Sequence, residues 1–348
     1  MTQLSFIIPA YNASSTIVRA LDSIYSLPLK TDEFEVIVVD DCSTDNTLEI
    51  LQAYATKQPN LHILHQEQNH RQGAARNWGL NEAKGDYVMF VDADDTIARG
   101  IIGVLKFAEQ KDLDMLFCFT AWENVQHQFV PRMYEIPEFL VVTGGEFAEK
   151  YYDEVCVGPW TYLWGREFLM RTNIPFIENR RMEDFDFVEQ HIVKANKIAY
   201  CSEVIYNYFI NHGSTVRTMS YDTVADWVHV CYRRWRFCDT LDSKYPNFVS
   251  KIDAQCRNFV SSSLSVRRLT RFTQSDVRKI LNRIGEGELD YLYTKGGWGI
   301  FTRLCMKHRS VVLVFITLAH PTAALSRTVV RTIRKNIQIG RASCRERV

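Results

Sequence analysis

Three carboxylates, Asp92, Asp94 and Asp95, follow directly on the apolar run Tyr87-Val88-Met89-Phe90-Val91. Hard oxygen ligands spaced so closely suit a Mg²⁺ or Mn²⁺ ion of the kind that also holds phosphate oxygens. An Asp cluster after a strand is equally at home in a solvated turn. The chemistry therefore depends on what else the chain brings to the same place. A second acidic pair, Glu183-Asp184, opens the segment MEDFDFVEQHIVKAN, in which Phe185, Val188, Ile192 and Ala195 fall at helical spacing. The helix dipole favours carboxylates in a first turn whether or not they act on a substrate.

The elements that must position these acids follow from periodicity. An unbroken apolar run of this kind reads as a strand buried on both faces of a parallel sheet. It delivers its acids to the carboxyl end, the edge where ligands sit in open α/β sheets. Leu4 to Pro9, Phe34 to Asp40 and Leu61 to His65 are three further strands. The first leads into a helix with Ser14 or Ser15 at its cap and Ile17, Leu21 and Ile24 on one face; the second leads into Leu48, Leu51 and Tyr54. The third is followed by QNHRQGAARNWGLNEAKG, a polar loop and a helix. This alternation predicts an α/β fold with a doubly wound, mostly parallel sheet.

Met115 to Thr120 reads as a further strand, residues 120–180 as an irregular, aromatic segment that closes the site, and Lys197 to Ile210 as strand-like. From Asp222 the pattern turns helical, through Val224, Trp227, Val228, Cys231 and Trp235. The expected organisation is a catalytic domain over 1–215, a helical region over 222–340 and a tail, 341–348, whose GRASCRERV lacks any apolar period and stands outside the fold.

Composition bounds the partners. The 348 residues are 46% hydrophobic and 24% charged with no net charge, an ordinary globular balance. From Trp298 onward Glu346 is the sole acid, against ten Lys and Arg residues, so the end of the chain expects an anionic surface such as lipid head groups or nucleic acid. The run 310–326 is apolar but shorter than the roughly 20 residues a bilayer span needs. It reads as a buried helix or as an interfacial one, with Arg327, Arg331, Arg334 and Lys335 forming a basic face behind it. Nine cysteines without a C-x-x-C pair signal neither zinc nor a disulfide framework. With no basic, apolar leader at the N-terminus, a cytosolic protein with reduced thiols is expected.

In order along the chain, FIIPAYNAS, VIVVDDCSTDNT, GAARNWGLNEAKGDYVMFVDADD and MEDFDF resemble the inverting family 2 glycosyltransferases, over residues 1 to about 215. The resemblance implies the GT-A fold and a nucleotide-sugar donor, UDP-linked. Pro9, Ala10 and Tyr11 would line the nucleobase pocket, with the Tyr11 ring against the base, and Asp41 would accept a hydrogen bond from the uracil ring N–H. Arg76 would face the nucleotide. Asp92 and Asp94 would serve the ribose and a Mn²⁺ or Mg²⁺ ion, with the direct ligand left open between Asp94 and Asp95. Asp184 would be the general base, with Glu183 beside it. The implied acceptor is a hydroxyl of a glycan or of a polyprenyl-diphosphate-linked sugar, in bacterial surface polysaccharide synthesis. Lipid rather than nucleic acid is then the anionic partner, and the enzyme sits on the cytoplasmic face of the membrane.

Elementary chemistry reaches the same roles. A departing diphosphate needs its developing charge neutralised by a cation. A carboxylate on the far face of the sugar must take the acceptor's proton, and one such displacement inverts the anomeric centre. A carboxylate pair can also hydrolyse a glycosidic bond, yet hydrolysis has no use for an acidic cluster after a buried strand. A nucleotidyltransferase shares sheet and metal but needs a Gly-rich, basic loop after its first strand, where this chain has PAYNASS. A non-catalytic nucleotide-sugar binder would keep the fold without needing every acid. Simpler readings exist for single residues: Asp41 as a helix cap, Arg76 in a surface pair, and His70-Arg71 in a solvated loop rather than on phosphate. Trp160 and Trp164 read as core residues or as a platform for the apolar face of an acceptor sugar.

Overall fold

The computed structural model describes residues 2–123, 129–131, 134–154, 156–210, 220–241, 243–269, 271–298, 300–307 and 312. The apolar run 310–326, Val312 apart, and the basic residues and tail beyond it lie outside the described residues. By Cα proximity the chain forms two compact units, Met1–Thr218 with Arg234–Asp253, and Met219–Arg233 with Ala254–Val348.

The first unit is built on one mixed sheet. Its strands are β1 (Leu4–Ala10), β2 (Phe34–Asp40), β3 (Leu61–His65), β4 (Tyr87–Phe90), β5 (Thr96–Ile97), β6 (Met115–Glu123), β7 (Phe129–Pro131), β8 (Tyr162–Gly165) and β9 (Ile198–Tyr208). They run in the order β3-β2-β1-β4-β8-β6-β9-β5, with β7 paired to β6. The first four are mutually parallel, in register Leu4 with Phe34 and with Tyr87. As the apolar runs required, β2 and β4 are buried along their whole length. Crossover helices follow the early strands: α1 (Ile17–Tyr25), α2 (Thr47–Ala55), α3 (Arg71–Glu82) and α4 (Ile101–Lys111).

The segment 120–180, read as irregular, supplies a central strand. β8 lies antiparallel between β4 and β6, pairing Val88 with Trp164 and Leu116 with Leu163. With four residues, YLWG, it is too short for a periodic signal. Helices α5 (Gly144–Tyr151), α6 (Arg166–Thr172) and α7 (Glu183–Lys194) complete this half.

Each face of the sheet has its own core. Ile17, Leu21 and Ile24 of α1, Leu51 of α2 and Ile101, Val104 and Leu105 of α4 join Phe6, Ile8 and Val36 in one cluster. Across the sheet, Phe187 of α7 stacks on Phe176 at 3.6 Å and meets Phe90 and Trp164 edge-on. Full burial of such side chains contributes about 1.5–3 kcal/mol each, so α7 is fixed to the strand that ends in the acidic cluster.

A buried ion pair fixes the other end of α7. Helix α8 (Tyr221–Asp239) carries Arg234, whose Nη2 and Nε donate to Glu189 Oε1 and Oε2 at 2.7 and 2.8 Å. The Tyr152 hydroxyl also donates to Glu189. All three side chains are buried. An unpaired carboxylate at that depth would be costly, so Arg234 belongs to the same packed body as Glu189.

The remaining described residues are helical, as the pattern from Asp222 predicts: α9 (Pro246–Ser263), α10 (Val266–Leu269), α11 (Gln274–Ile284), α12 (Glu286–Thr294) and α13 (Ile300–Lys307). Within the second unit Arg283 Nε donates to Asp226 Oδ1 at 2.9 Å, and His229 Nδ1 lies 2.8 Å from Glu288 Oε1. The eight described cysteines are unbridged and six of them are buried. No described helix is long and apolar enough to cross a membrane.

Candidate active site

The carboxyl ends of β1, β2 and β4 border a cleft of about 700 Å³. Pro9, Ala10 and Tyr11 line it from β1, Asp41 from β2, and Asp92 and Asp94 from β4. Trp160 and Asp184 line it from the far side. Residues separated by up to 199 positions (9 to 208) thus share one cavity, which no solvated turn or isolated first-turn acid requires.

The loops that shape the cleft are held by each other's side chains. Asn12 Oδ1 accepts from the Thr44 N–H at 2.8 Å, and the Asn12 N–H donates to Ser43 Oγ at 3.0 Å. Asn12, Cys42, Arg71, Asn179 and Met182 all adopt positive φ, between 51° and 68°. Non-glycine residues in this region cost roughly 1–2 kcal/mol each, and five of them flank this one cleft, where backbone strain commonly gathers at working sites.

Asp41 is buried and its Oδ1 accepts from the His70 N–H at 2.7 Å. Burial pushes its carboxyl up, against the pull of the His70 and Arg71 backbone donors. The Asp41 side chain therefore holds a loop as well as facing the cleft, while the first N–H of α2, that of Thr47, donates to Asp45 Oδ1 at 3.0 Å. Tyr11 is 51% exposed, an aromatic face open at the mouth. His70 faces Asn179, its Nδ1 3.3 Å from Oδ1, whereas Arg71 lines the cleft.

One carboxylate oxygen from each of Asp92, Asp94 and Asp95 lies within 4.8 Å of the others. Asp95 is buried; its Oδ2 accepts from the Tyr206 hydroxyl at 2.7 Å and its Oδ1 from the Phe209 N–H at 2.8 Å. The Asp92 N–H donates to the same hydroxyl at 3.0 Å. Burial, and then the charges of Asp92 and Asp94, push the Asp95 carboxyl up to about 8. Three crowded hard-oxygen donors with a surplus of negative charge fit a divalent cation. Asp92 and Asp94 face the cleft, and Asp95 stands behind them.

Arg76 departs from expectation. It is 1% exposed and does not line the cleft. Its Nη2 donates to Asp92 Oδ1 at 2.9 Å, and its Nη1 to Glu183 Oε1 at 2.6 Å and Asp184 Oδ1 at 3.0 Å. Burial opposes its charge, but Asp184, Asp92 and Glu183 outweigh it and hold the guanidinium more firmly protonated than usual. Nor is it a surface pair, since a buried cation needs these partners.

Glu183 is fully buried and accepts from Gln72 Nε2 at 2.7 Å as well as from Arg76, so it faces away from the cleft. Asp184 faces into it. Burial and the neighbouring Glu183 raise the Asp184 carboxyl well above its ordinary range, with Arg76 acting against them.

For Trp164 the structure decides between the two readings. It is fully buried among Phe90, Tyr162 and Phe187, and its Nε1 donates to Pro159 O at 2.9 Å, so it is a core residue and no sugar platform. Trp160 is at the cleft, stacked at 26° against Tyr206 and Tyr208.

Other lining residues escaped the sequence reading: Asn12, Asn69, Gln72, Arg180, Arg181 and Tyr208. Some left a trace. Gln72 precedes Arg76 by one helical turn, Arg180-Arg181 immediately precede the acidic pair, and Tyr206 and Tyr208 share one face of β9 by the strand's period of two.

Comparison with known proteins agrees with this geometry. Glycosyl transferase family 2 matches residues 5–174. The chain is 29% identical over 225 residues to the uncharacterized glycosyltransferase YibD of Escherichia coli, covering 62% of this chain and 63% of that protein. It is 31% identical over 218 residues to the uncharacterized glycosyltransferase EpsJ of Bacillus subtilis, covering 61% and 62%. The match thus spans less than two thirds of either relative. The solved structure of S. aureus TarS 1-349 in complex with UDP-GlcNAc superposes with a TM-score of 0.60 at 23% identity, over 91% of this chain and 90% of that one. The sheet and its flanking helices are those of the GT-A fold, and a helical C-terminal region comes after them in the chain. Residues 5–174 of the chain form a glycosyl transferase family 2 domain.

Proposed function

We propose that the protein is an inverting, metal-dependent glycosyltransferase that moves a sugar from a UDP-linked donor to a hydroxyl of a glycan or lipid-linked acceptor, in the synthesis of a bacterial surface polysaccharide. The observation that carries this reading is the single cleft shared by the Asp92-Asp94 corner and Asp184. A UDP-linked donor draws support from the structural likeness to TarS, whose solved complexes hold UDP-GlcNAc and UDP. A surface-polymer acceptor draws support from the same TarS, a poly(ribitol-phosphate) beta-N-acetylglucosaminyltransferase of Staphylococcus aureus that is 30% identical to this chain over 236 residues.

In this reading Tyr11 stacks on the base, Asp41 accepts from the uracil ring N–H, and Pro9 and Ala10 form the floor of that pocket. Asp94 and Asp92 would hold the Mn²⁺ or Mg²⁺ ion, with Asp95 fixing their loop; Asp92 also serves the ribose. The ion, when bound, supplies positive charge to the leaving diphosphate. Arg71, Arg180 and Arg181 add positive charge along the same cleft. Asp184 accepts the proton of the attacking hydroxyl as the anomeric centre inverts. Trp160, beside Tyr208, offers an aromatic face to the acceptor sugar. The catalytic part covers residues 1–215, and the helical region 222–340 brings the enzyme to an anionic cytoplasmic leaflet through the apolar run and basic residues at its end. Residues 341–348 take no part.

The test is UDP release from a panel of UDP-sugars with and without Mn²⁺, together with a glycan acceptor. Metal-dependent release of UDP supports the reading. Release of pyrophosphate from a sugar phosphate and UTP would assign a nucleotidyltransferase instead, and binding without turnover across acceptors a non-catalytic module.

A further inference from the structure

We infer that Arg76 is a positioning residue, the strut that sets the acidic donor corner and the catalytic base at their working separation, and that it makes no contact with the nucleotide. The inference rests on the proposed function, because it assigns how that function's two halves are coupled.

The two halves belong to different elements. Asp92 lies two residues beyond the end of β4, while Glu183 and Asp184 begin α7. Nη2 of Arg76 is committed to Asp92, and Nη1 to Glu183 and Asp184. The planar fork of a guanidinium makes that division possible, since its two terminal nitrogens point to opposite sides at a fixed spacing. A lysine ammonium keeps the charge but cannot span both sides in one geometry.

The scaffold around the strut is built to hold it. Helix α3 is clamped to the segment before α7, with Asn77 Nδ2 donating to Phe176 O at 3.0 Å and the Phe176 N–H to Asn77 Oδ1 at 2.8 Å. Gly73 brings the helix so near that an added Cβ would lie 2.3 Å from Ile177 O. Gln72, on the same helical face, supplies Glu183 with its second donor. The guanidinium carbon lies 5.3 Å from the Phe176 ring centroid. Burial to 1% exposure leaves no surface through which a nucleotide could reach it.

A nucleotide contact and a strut predict opposite kinetic signatures, because an interaction common to ground and transition states lowers KM whereas one that orients the reacting groups raises kcat. Arg76→Lys should leave the calorimetric affinity for UDP with Mn²⁺ within about threefold of the parent and lower kcat at saturating donor by about tenfold to a hundredfold. Arg76→Gln should lower kcat further, with lysine giving partial rescue relative to glutamine. Should either Arg76 variant fail to fold, Glu183→Gln carries the same test: it keeps the shape of the anchor, weakens its charge and should reduce kcat with UDP affinity unchanged. Loss of UDP affinity by tenfold or more with kcat preserved would overturn the inference, and so would a kcat within twofold of the parent in Arg76→Lys and in Glu183→Gln. A parent that releases no UDP from any donor overturns the proposed function itself and removes the coupling with it, which is a distinct outcome from an active parent with insensitive variants.

Discussion

The Tyr206 hydroxyl donates to Asp95 Oδ2 at 2.7 Å, so a fully buried residue of β9 stands directly behind the acidic corner that ends β4. The same oxygen accepts from the Asp92 N–H, and the two ends of the cluster are thereby tied to one phenol. Tyr206→Phe leaves a buried carboxylate oxygen without its donor, at a cost of about 1–3 kcal/mol in folding stability. It should also weaken Mn²⁺ binding about tenfold or more, as loss of an orienting partner does. Urea denaturation and Mn²⁺ calorimetry check the two effects; a variant equal to the parent in both would mean the phenol only fills space.

Asp94→Asn should abolish most of the Mn²⁺-dependent binding of UDP while the protein stays folded, because Asp94 faces the cleft. Asp95→Asn should act less on affinity and more on stability, since both Asp95 oxygens already accept from protein donors. Thermal melts with UDP in the presence and absence of Mn²⁺ distinguish them, as binding to the folded state raises the melting temperature. Parental Mn²⁺-dependent shifts in both variants would reduce the cluster to a turn.

Asp184→Asn should retain donor affinity and lose roughly 10²- to 10⁴-fold in kcat, the range for loss of a general base. Turnover near the parental rate would remove Asp184 from the chemistry.

His191 on α7 is buried, with Nδ1 2.8 Å from Phe187 O and Nε2 2.9 Å from Thr172 Oγ1. Burial lowers its pKa from 6.5 to about 4. The unfolded chain therefore binds the extra proton first as pH falls, and the stability due to neutral His191 is full above pH 6.5 and lost toward about 4. That loss amounts to about 3 kcal/mol. Between pH 7 and 4 the parent should lose that much more stability than His191→Gln; parallel urea-denaturation profiles for the two proteins would contradict it.

The strands β1, β2 and β4 and the acids at their ends were legible in the sequence, because burial on both faces writes an unbroken apolar run and loops at one sheet edge write polar clusters. Asp184 was legible through its neighbours at a helix start. The partners of Arg76 were not, since they lie 16, 107 and 108 positions away and the apolar pattern carries no record of which carboxylate meets which cation. Trp164 stayed open between core and platform for a related reason: a tryptophan in a four-residue strand has no period to tell core from surface. Tyr206 was visible as one aromatic of β9, but its hydrogen bonds 111 and 114 positions away depend on how β9 lies in the sheet.

Arg234 lies beyond the last strand, yet it neutralises Glu189 inside the helix that presents Asp184. A gene fragment cut after residue 218, at the seam a linear map suggests, would keep every cleft residue and lose that cation, stranding a carboxylate in an apolar interior. Modular exchange of the C-terminal region between relatives therefore has a rule of compatibility: the incoming piece must carry a guanidinium at the place of Arg234. Chimeras that supply one should be soluble, and those that substitute an uncharged residue should aggregate unless Glu189 is exchanged with it.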